Sequence, residues 1–490
     1  MSLKQRTASG FKWTAFATAA GNVIDFAVRA VLARLLLPGD FGLAGMTMVV
    51  ISFAQPYVDV GIGKAVIQRQ ESTDRQLSSL YWLNVSSGFA IFLLSVLLTP
   101  AIAGLFGDDR LRGLVPWMAV SFLIAPFGQL YRALLQRDLH FDTIAKIETA
   151  AGLVGGAVGV GAAIAGQGVF SFVWKYLAGI AVSALSMVVA GARNWRPKLY
   201  FRWAEISGYL SFGLFHMGQA GISRVAAQID YIVIGRFLGA EPLGIYWLAR
   251  QLVLTPLTKI TPVLTQVLFP VFAKLQYDRP QLRNYFLEVS KALTYLILPI
   301  LAILGVTADL VIPVFFGPGW EGAIPLVWLM VPVAMFRLLG VPFGAALLAT
   351  GRPGFLLWWR LSIATLSGFA FVAVVHEGLV AVARWAFILG VIFFLIRTWL
   401  HRYFVNTGLA PYARTIAPGT AVTAVATLTV FVSRPWLTGI FPNQPIELAA
   451  AALVAGVVIV GTTLTFRRKD IRRAWEFIRP AAALDPAAVD

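Results

Sequence analysis

The sequence predicts an all-α integral membrane protein with about 14 transmembrane helices, arranged as two six-helix bundles plus two C-terminal helices. Three observations support this prediction. Hydrophobic residues make up 58% of the 490-residue chain and charged residues only 13%, against about 25% charged residues in a soluble domain. Apolar stretches of about 20 residues, each long enough to span the hydrocarbon layer as a helix, recur along the whole chain. Lys and Arg concentrate in alternate connections between these stretches.

The first element starts with the basic segment MSLKQRTASGFKW and continues directly into an apolar run. A cleaved signal peptide is the alternative interpretation, but the apolar run is longer than a signal peptide requires. We therefore predict a first helix that enters the membrane from the cytoplasm. The predicted spans are 11–36, 42–66, 78–104, 113–135, 143–166, 168–191, 205–238, 244–272, 288–316, 322–348, 355–376, 378–400, 413–434 and 446–466.

The charges between the spans give the orientation. Most of the 40 basic residues fall in alternate connections and in the C-terminal tail, whereas the other connections hold only Arg110, Arg112 and Arg434. The positive-inside rule then places both termini in the cytoplasm. The net charge of +17 is therefore mainly a topology signal, and we expect no nucleic-acid partner. The predicted outside connections are short.

An internal repeat organises the spans. LARLLLPGDFGLAG (32–45) matches IGRFLGAEPLGIYW (234–247) at a shift of 202 positions, with Arg34 on Arg236 and Gly42 on Gly244. LFGDDRLRGLVPWM (105–118) is likewise echoed by FFGPGWEGAIPLVW (315–328). An even number of spans separates each pair, so the halves share one orientation and a pseudo-two-fold axis along the membrane normal. A chance recurrence of Leu-Gly-rich turns is the alternative.

The repeat predicts an N-terminal six-helix lobe (1–200), a C-terminal six-helix lobe (201–403), two extra helices (404–466) and a basic cytoplasmic tail (467–490). Pro38 and Gly39 are expected to form a tight outside turn between spans 1 and 2.

Charges at membrane depth mark the candidate site, because such charges are costly and usually face a protein interior or a water-filled cavity. Asp25 and Arg29 are four residues apart and share a helix face, which allows an ion pair. A cavity lined by basic residues would attract an anion, and the planar fork of Arg suits phosphate oxygens. Local pairing that merely fastens helices is the alternative. The predicted cavity cations are Arg29, Arg224, Arg250 and Lys259.

Two acids, Asp25 and Asp59, are candidates for proton or sodium coupling. Further polar groups in the spans are His216 and Gln219 in span 7 and Lys175 in span 6. The chain has no cysteine, which excludes disulfides and thiol chemistry. It shows no P-loop, no H-E-x-x-H motif and no recognisable Ser-His-Asp arrangement. We therefore expect no enzyme activity, no metal and no cofactor.

Four stretches carry a family resemblance: GFKWTAF, LARLLLPGDFGLAGM, LLQRDLHFDTIAKIE (134–148) and FFGPGWEGAIPLVWLM (315–330). Together they resemble the polysaccharide exporter branch of the multidrug/oligosaccharidyl-lipid/polysaccharide transporter superfamily, over most of spans 1 to 10. The resemblance implies two lobes that open alternately to either side of the bacterial cytoplasmic membrane. It also implies an undecaprenyl-pyrophosphate-linked oligosaccharide as cargo, with cationic residues of spans 1, 2, 7 and 8 in the central cavity.

The cargo would be a repeat unit of an exopolysaccharide, a capsule or an O-antigen. Membrane lipids, a polysaccharide polymerase and a chain-length regulator are the partners that this reading suggests. A lipid-II flippase of the same superfamily remains an alternative. A drug/cation antiporter would favour an acidic cavity, and a polymerase or glycosyltransferase would need a large outside loop for its chemistry.

Overall fold

The computed structural model describes residues 3–59, 63, 66–67, 72–206, 224, 227–441 and 443–478, with side chains described except at 3–17, 259 and 463–478. Every regular element within these ranges is helical. Two short 3-10 turns, Glu321–Ala323 and Val375–Glu377, accompany the α-helices. The α-helices are α1 Leu3–Leu35, α2 Pro38–Asp59, α3 Asp74–Leu97, α4 Thr99–Phe106, α5 Leu111–Ala119, α6 Ser121–Arg137, α7 Phe141–Ile164, α8 Phe170–Gly191, α9 Ala240–Leu275, α10 Arg279–Leu296, α11 Leu298–Val306, α12 Ala308–Phe316, α13 Ile324–Leu338, α14 Val341–Ala349, α15 Pro353–Val374, α16 Leu379–Phe404, α17 Leu409–Ile440 and α18 Gln444–Ile478.

Twelve helical spans of the described part are long and apolar enough to cross a membrane. They coincide with predicted spans 2 to 6 and 8 to 14. Span 1 lies within α1 except for its last residue, and most of span 7 falls outside the described residues. The all-α membrane fold is thus confirmed, whereas the count of 14 and the two-bundle layout stay predictions.

Proline divides three predicted spans into shorter helices. α4 has Pro100, α11 has Pro299 and α14 has Pro342 within the first two residues of the helix. Proline is tolerated there because the N–H groups of the first helical residues have no intrahelical acceptor. A proline deeper in a helix instead removes a backbone hydrogen bond. Each of these spans therefore consists of consecutive helices.

Large apolar side chains cover the exterior of the helices. Leu97, Ile164 and Phe369 are each more than 70% exposed. A soluble protein rarely exposes contiguous apolar surface on this scale, whereas hydrocarbon is a suitable environment for it. The exposed side chains agree with the membrane assignment.

The chain forms two compact units, Met1–Gly244 and Ile245–Asp490. This division follows contacts in space, whereas the predicted lobes follow the sequence repeat, so the lobe boundaries at 200, 403 and 466 stay predictions.

At the centre of the first unit, α7 packs against α1 and α8. α7 contains two overlapping G-x-x-x-G pairs, Gly152 with Gly156 and Gly155 with Gly159. The close approaches are at Gly155, Gly156 and Gly159, whereas a Cβ at Gly152 would meet nothing within 4 Å. A Cβ at Gly155 would lie 2.7 Å from the carbonyl oxygen of Lys175, and one at Gly156 would lie 2.6 Å from Val28 Cγ2. Small residues let transmembrane helices approach this closely. The glycines therefore bring α1 and α8 tightly onto neighbouring faces of α7.

The segment that follows α8 docks against the start of α3. The indole of Trp82 donates to the carbonyl oxygen of Lys198 at 2.8 Å, and the amide of Lys198 donates to Ser78 Oγ at 3.1 Å. The amide of Arg202 donates to Ser79 Oγ at 3.2 Å. These bonds join an exposed connection to Ser78 and Ser79, whose hydroxyl groups lie on buried residues of α3. The connection after α8 is thereby fixed to the first unit.

The junction between α1 and α2 differs from the prediction. Pro38 and Gly39 are the first residues of α2, and the turn itself consists of Leu36 and Leu37. The predicted turn at Pro38 and Gly39 is therefore wrong by two residues. The reason is that the fixed φ of proline suits the first position of a helix as well as it suits a turn.

The repeated glycines Gly42 and Gly244 lie where the first turns of α2 and α9 cross. We call this contact, formed by Pro38, Gly42, Ala240 and Gly244, the glycine crossing. A Cβ on Gly42 would lie 1.7 Å from the carbonyl oxygen of Ala240, and one on Gly244 would lie 1.8 Å from that of Pro38. Only a residue without a side chain fits at either position. The repeated motif therefore encodes a contact between its own two copies, at the predicted outer end of the spans.

Further contacts join the helical segment 227–238, which precedes α9, to the first unit. Arg236 Nη1 donates to the carbonyl oxygen of Gly104 at 3.2 Å, and Gln228 Nε2 donates to Ser52 Oγ at 3.1 Å. These bonds link this segment to α4 and to α2. The outer part of predicted span 7 is thus held within the same unit as spans 1 to 6.

In the second unit, the two C-terminal helices α17 and α18 pack on α10, α11 and α12. An ion cluster fastens their predicted outer ends: Arg434 Nη1 lies 2.6 Å from Asp309 Oδ2, and Arg434 Nη2 lies 3.8 Å from Glu447 Oε1. Glu447 is only 4% exposed. One of the few basic residues predicted outside the membrane is therefore explained by two acidic partners.

Candidate anion-binding site

The first unit contains a cluster of three charged side chains at membrane depth, which we call the cation cluster: Asp25 and Arg29 on α1, and Lys175 on α8. Arg29 Nη2 lies 4.0 Å from Asp25 Oδ2, and Lys175 Nζ lies 3.4 Å from Asp25 Oδ1. The predicted pair of Asp25 and Arg29 is thereby confirmed. Lys175 is a second cation that the sequence prediction left outside the site.

The two cations are mostly enclosed by protein, whereas the acid is not. The side chains of Arg29 and Lys175 are 19% and 21% exposed, against 48% for Asp25. Two cations share one carboxylate, so the cluster carries a net charge of about +1 when all three groups are ionised. Because charges interact more strongly away from bulk water, this excess positive charge favours a bound anion.

The glycines of α7 explain why Lys175 reaches the cluster. A Cβ at Gly159 would lie 2.7 Å from Lys175 Cβ, so α8 contacts α7 through the base of this lysine. On the neighbouring face of α7, Gly156 contacts Val28, the residue before Arg29. The signal that could have identified Lys175 was therefore the pair of G-x-x-x-G motifs between two charged helices.

The other predicted cavity cations lie on different elements. Arg224 is an exposed residue of the first unit, and its immediate sequence neighbours are outside the described residues. Arg250 is half-buried on α9 within the second unit. Lys259 also lies on α9, and its side chain is not among those described. Their shared role as cavity residues stays a prediction.

Of the two candidate coupling acids, Asp59 ends α2, where its Oδ1 accepts from the amide of Gly63 at 3.4 Å. His216 and Gln219 fall outside the described residues. Among the side chains that are described, no group of three or more His, Cys, Asp or Glu is arranged to hold a metal ion.

The fold and the cation cluster define a class: a polytopic α-helical membrane protein with buried positive charge. The solved structure of the lipid II flippase MurJ in an inward closed conformation shares this fold, with a TM-score of 0.76 at 14% identity, covering 94% of this chain and 99% of that chain. At this identity the likeness shows the fold alone.

The chain belongs to the polysaccharide biosynthesis protein family, which it matches over residues 31–325. It is 35% identical to the teichuronic acid biosynthesis protein TuaB of Bacillus subtilis (strain 168), over 88% of this chain and 89% of that protein. It is 34% identical to the lipopolysaccharide biosynthesis protein WzxC of Escherichia coli (strain K12), over 72% of each chain. These matches confirm the resemblance to the polysaccharide exporters.

Proposed function

We propose that this protein flips an undecaprenyl-pyrophosphate-linked oligosaccharide from the cytoplasmic to the outer leaflet of the bacterial cytoplasmic membrane by alternating access. The cargo is a repeat unit of an exopolysaccharide, a capsule or an O-antigen. The observation that carries the proposal is the cation cluster, which places net positive charge within the spans of a MurJ-like fold. The family and the names of its relatives support polysaccharide synthesis as the pathway.

The physical problem fits such a site. A sugar chain cannot enter hydrocarbon without losing its hydrogen bonds to water, and a pyrophosphate also loses the hydration of its charges. A hydrated cavity with positive charge lowers both barriers. An inside-negative potential favours outward movement of an anion by about 2.3 kcal/mol per charge per 100 mV for full crossing, so flipping needs little ion coupling.

In this proposal the protein performs no covalent chemistry. Arg29, Arg224, Arg250 and Lys259 bind the pyrophosphate within the cavity, and both termini lie in the cytoplasm. Asp25 and Asp59 are the groups available for ion coupling. On the outer side, a polysaccharide polymerase and its chain-length regulator receive the flipped repeat unit.

The test is surface polysaccharide in a deletion strain that expresses Arg29→Ala or Arg224→Ala. We expect each variant to insert normally and to lose the polymer, with lipid-linked sugar accumulating inside and partial recovery in the Arg→Lys variants. Arg112→Ala is the matched control, because Arg112 is 62% exposed and pairs with Asp109 in a predicted outside connection. Normal polymer from both Arg29→Ala and Arg224→Ala would contradict the cavity assignment. Accumulated lipid II in the deletion strain would instead favour the lipid-II flippase.

A further inference from the structure

We propose that Lys175 is a substrate-positioning residue, which forms with Arg29 a two-cation site for phosphate oxygens in which Asp25 is the resident anion. This inference rests on the proposed function for its substrate and adds a residue, a geometry and a role for Asp25. The pyrophosphate of the lipid-linked sugar replaces the Asp25 carboxylate between the two cations when it binds.

The first support is the looseness of the contacts. Lys175 and Arg29 approach Asp25 at 3.4 and 4.0 Å, whereas strong charge-assisted hydrogen bonds measure about 2.7–2.9 Å. An ammonium group has three donors and a guanidinium has five. One carboxylate at these distances leaves most of those donors available to another anion.

The second support is that the side chain of Asp25 is more exposed than those of the two cations. The side chain of Asp25 is 48% exposed, and those of Arg29 and Lys175 are 19% and 21% exposed. An anion that approaches from the accessible side therefore meets the cluster at the position of Asp25. The carboxylate oxygens mark the place where phosphate oxygens can contact both cations.

The third support is that the packing of α7 on α8 does not involve the ammonium group of Lys175. α7 contacts Lys175 through its carbonyl oxygen, its Cβ and its Cγ, at Gly155 and Gly159. Those contacts involve the backbone and the base of the side chain, so the packing of α7 on α8 does not use the charge. A charged group at membrane depth that packing does not require indicates a role in binding.

The same geometry reassigns Asp25. Its carboxylate already faces a cation that is tethered to α8, at the position where a mobile proton or sodium ion would have to bind. Asp25 therefore competes with the incoming pyrophosphate for Lys175 and Arg29. Removing its charge is expected to strengthen anion binding, which is the opposite of the effect expected for an ion-coupling acid or a structural salt bridge.

The experiment measures binding of inorganic pyrophosphate to the purified full-length protein in lipid nanodiscs by calorimetry. We expect Lys175→Met, which keeps the side-chain stem, to bind about 10-fold or more weakly, because a hydrogen bond to a charged group is lost. Lys175→Arg should bind like the wild type, and Asp25→Asn should bind several-fold more tightly. Lys146→Met is the matched control, since Lys146 is an exposed lysine on α7 that also pairs with an aspartate, Asp142, at 3.8 Å.

Two results would overturn the inference: pyrophosphate binding of Lys175→Met equal to that of Lys146→Met, or weaker binding in Asp25→Asn than in the wild type. Size-exclusion profiles and thermal midpoints identify variants that fail to fold. If Lys175→Met is unstable, Asp25→Asn decides the matter, because tighter pyrophosphate binding is expected only if Asp25 competes with the anion for Lys175 and Arg29.

Transport of a lipid-linked oligosaccharide in proteoliposomes separates this inference from the proposed function. If the wild type transports the lipid and Arg29→Ala does not, while Lys175→Met transports and binds pyrophosphate normally, the role of Lys175 is refuted and the proposed function stands. If pyrophosphate binding depends on Lys175 but the wild type moves no lipid-linked oligosaccharide, the anion site stands and the proposed function is refuted.

Discussion

A substitution at the glycine crossing gives the sharpest test of the fold. Gly42→Ala adds a Cβ whose ideal position is 1.7 Å from the carbonyl oxygen of Ala240, whereas real Cβ contacts rarely fall below 3.0 Å. The clash is with backbone, which no rotamer change can relieve. The first turns of α2 and α9 must therefore separate by more than about 1 Å, and overpacking of this kind costs about 1–3 kcal/mol.

A cost of this size shifts the equilibrium away from the state in which the two turns are in contact. The ratio of that state to states with the turns apart falls by about 5- to 150-fold. Gly39→Ala is the matched control, because it lies in the same first turn of α2 and a Cβ there meets nothing within 4 Å. A helical Gly→Ala change without a clash is neutral or slightly stabilising. The two alanine variants therefore differ in the clash alone.

The chain contains no cysteine, so a single introduced thiol reports on the crossing. Ala240→Cys replaces a residue that is 7% exposed, and Leu37→Cys replaces one that is 73% exposed. We expect Gly42→Ala to accelerate labelling of Ala240→Cys by a membrane-impermeant maleimide at least 5-fold, and to leave labelling of Leu37→Cys unchanged. Equal labelling rates of Ala240→Cys in the Gly42→Ala and Gly39→Ala backgrounds would refute the reasoning.

Two further predictions concern the second unit and are measured as thermal midpoints in detergent. Arg434→Ala removes the cation beside the buried Glu447, which should destabilise the protein by about 3 kcal/mol. The exposed ion pair of Arg112 is expected to contribute only about 0–1 kcal/mol. A loss of stability no larger than that in Arg434→Ala would contradict the prediction. His401 is fully buried among aromatic rings, and neither ring nitrogen has a hydrogen-bond partner within the described part of the chain. His401→Leu should therefore stabilise the protein by up to the 1–3 kcal/mol that an unsatisfied buried polar group costs, which raises the thermal midpoint. A lowered midpoint would show that the imidazole is satisfied.

The spans could be predicted because the membrane imposes a local rule. A helix that crosses hydrocarbon must satisfy its backbone within the segment and be apolar over about 20 residues, so length and composition suffice. The pair of Asp25 and Arg29 was predictable for the same reason, since residues four apart on a helix are neighbours.

What the sequence did not reveal depends on contacts between distant segments. Lys175 joins the cation cluster because glycines of α7 bring α1 and α8 together, which spacing along one helix cannot indicate. Gly42 and Gly244 begin predicted spans 2 and 8, and their repetition did not indicate that they lie in contact, because glycine marks a turn and a close backbone approach equally well. The register of Pro38 was wrong because proline suits a turn and a helix start alike.

The glycine crossing has the geometry of an isologous interface, in which residue i meets j and j meets i. At the shift of 202, Pro38 corresponds to Ala240 and Gly42 to Gly244. Gly42 contacts Ala240 and Gly244 contacts Pro38, so the two contacts are equivalent under the repeat. In a symmetric dimer every substitution would appear in both copies. One continuous chain removes that constraint: Asp25 and Arg29 correspond to Ala227 and Tyr231. The chain thus keeps a shared contact while giving only one half an acid–base pair, so its two halves are chemically unequal partners.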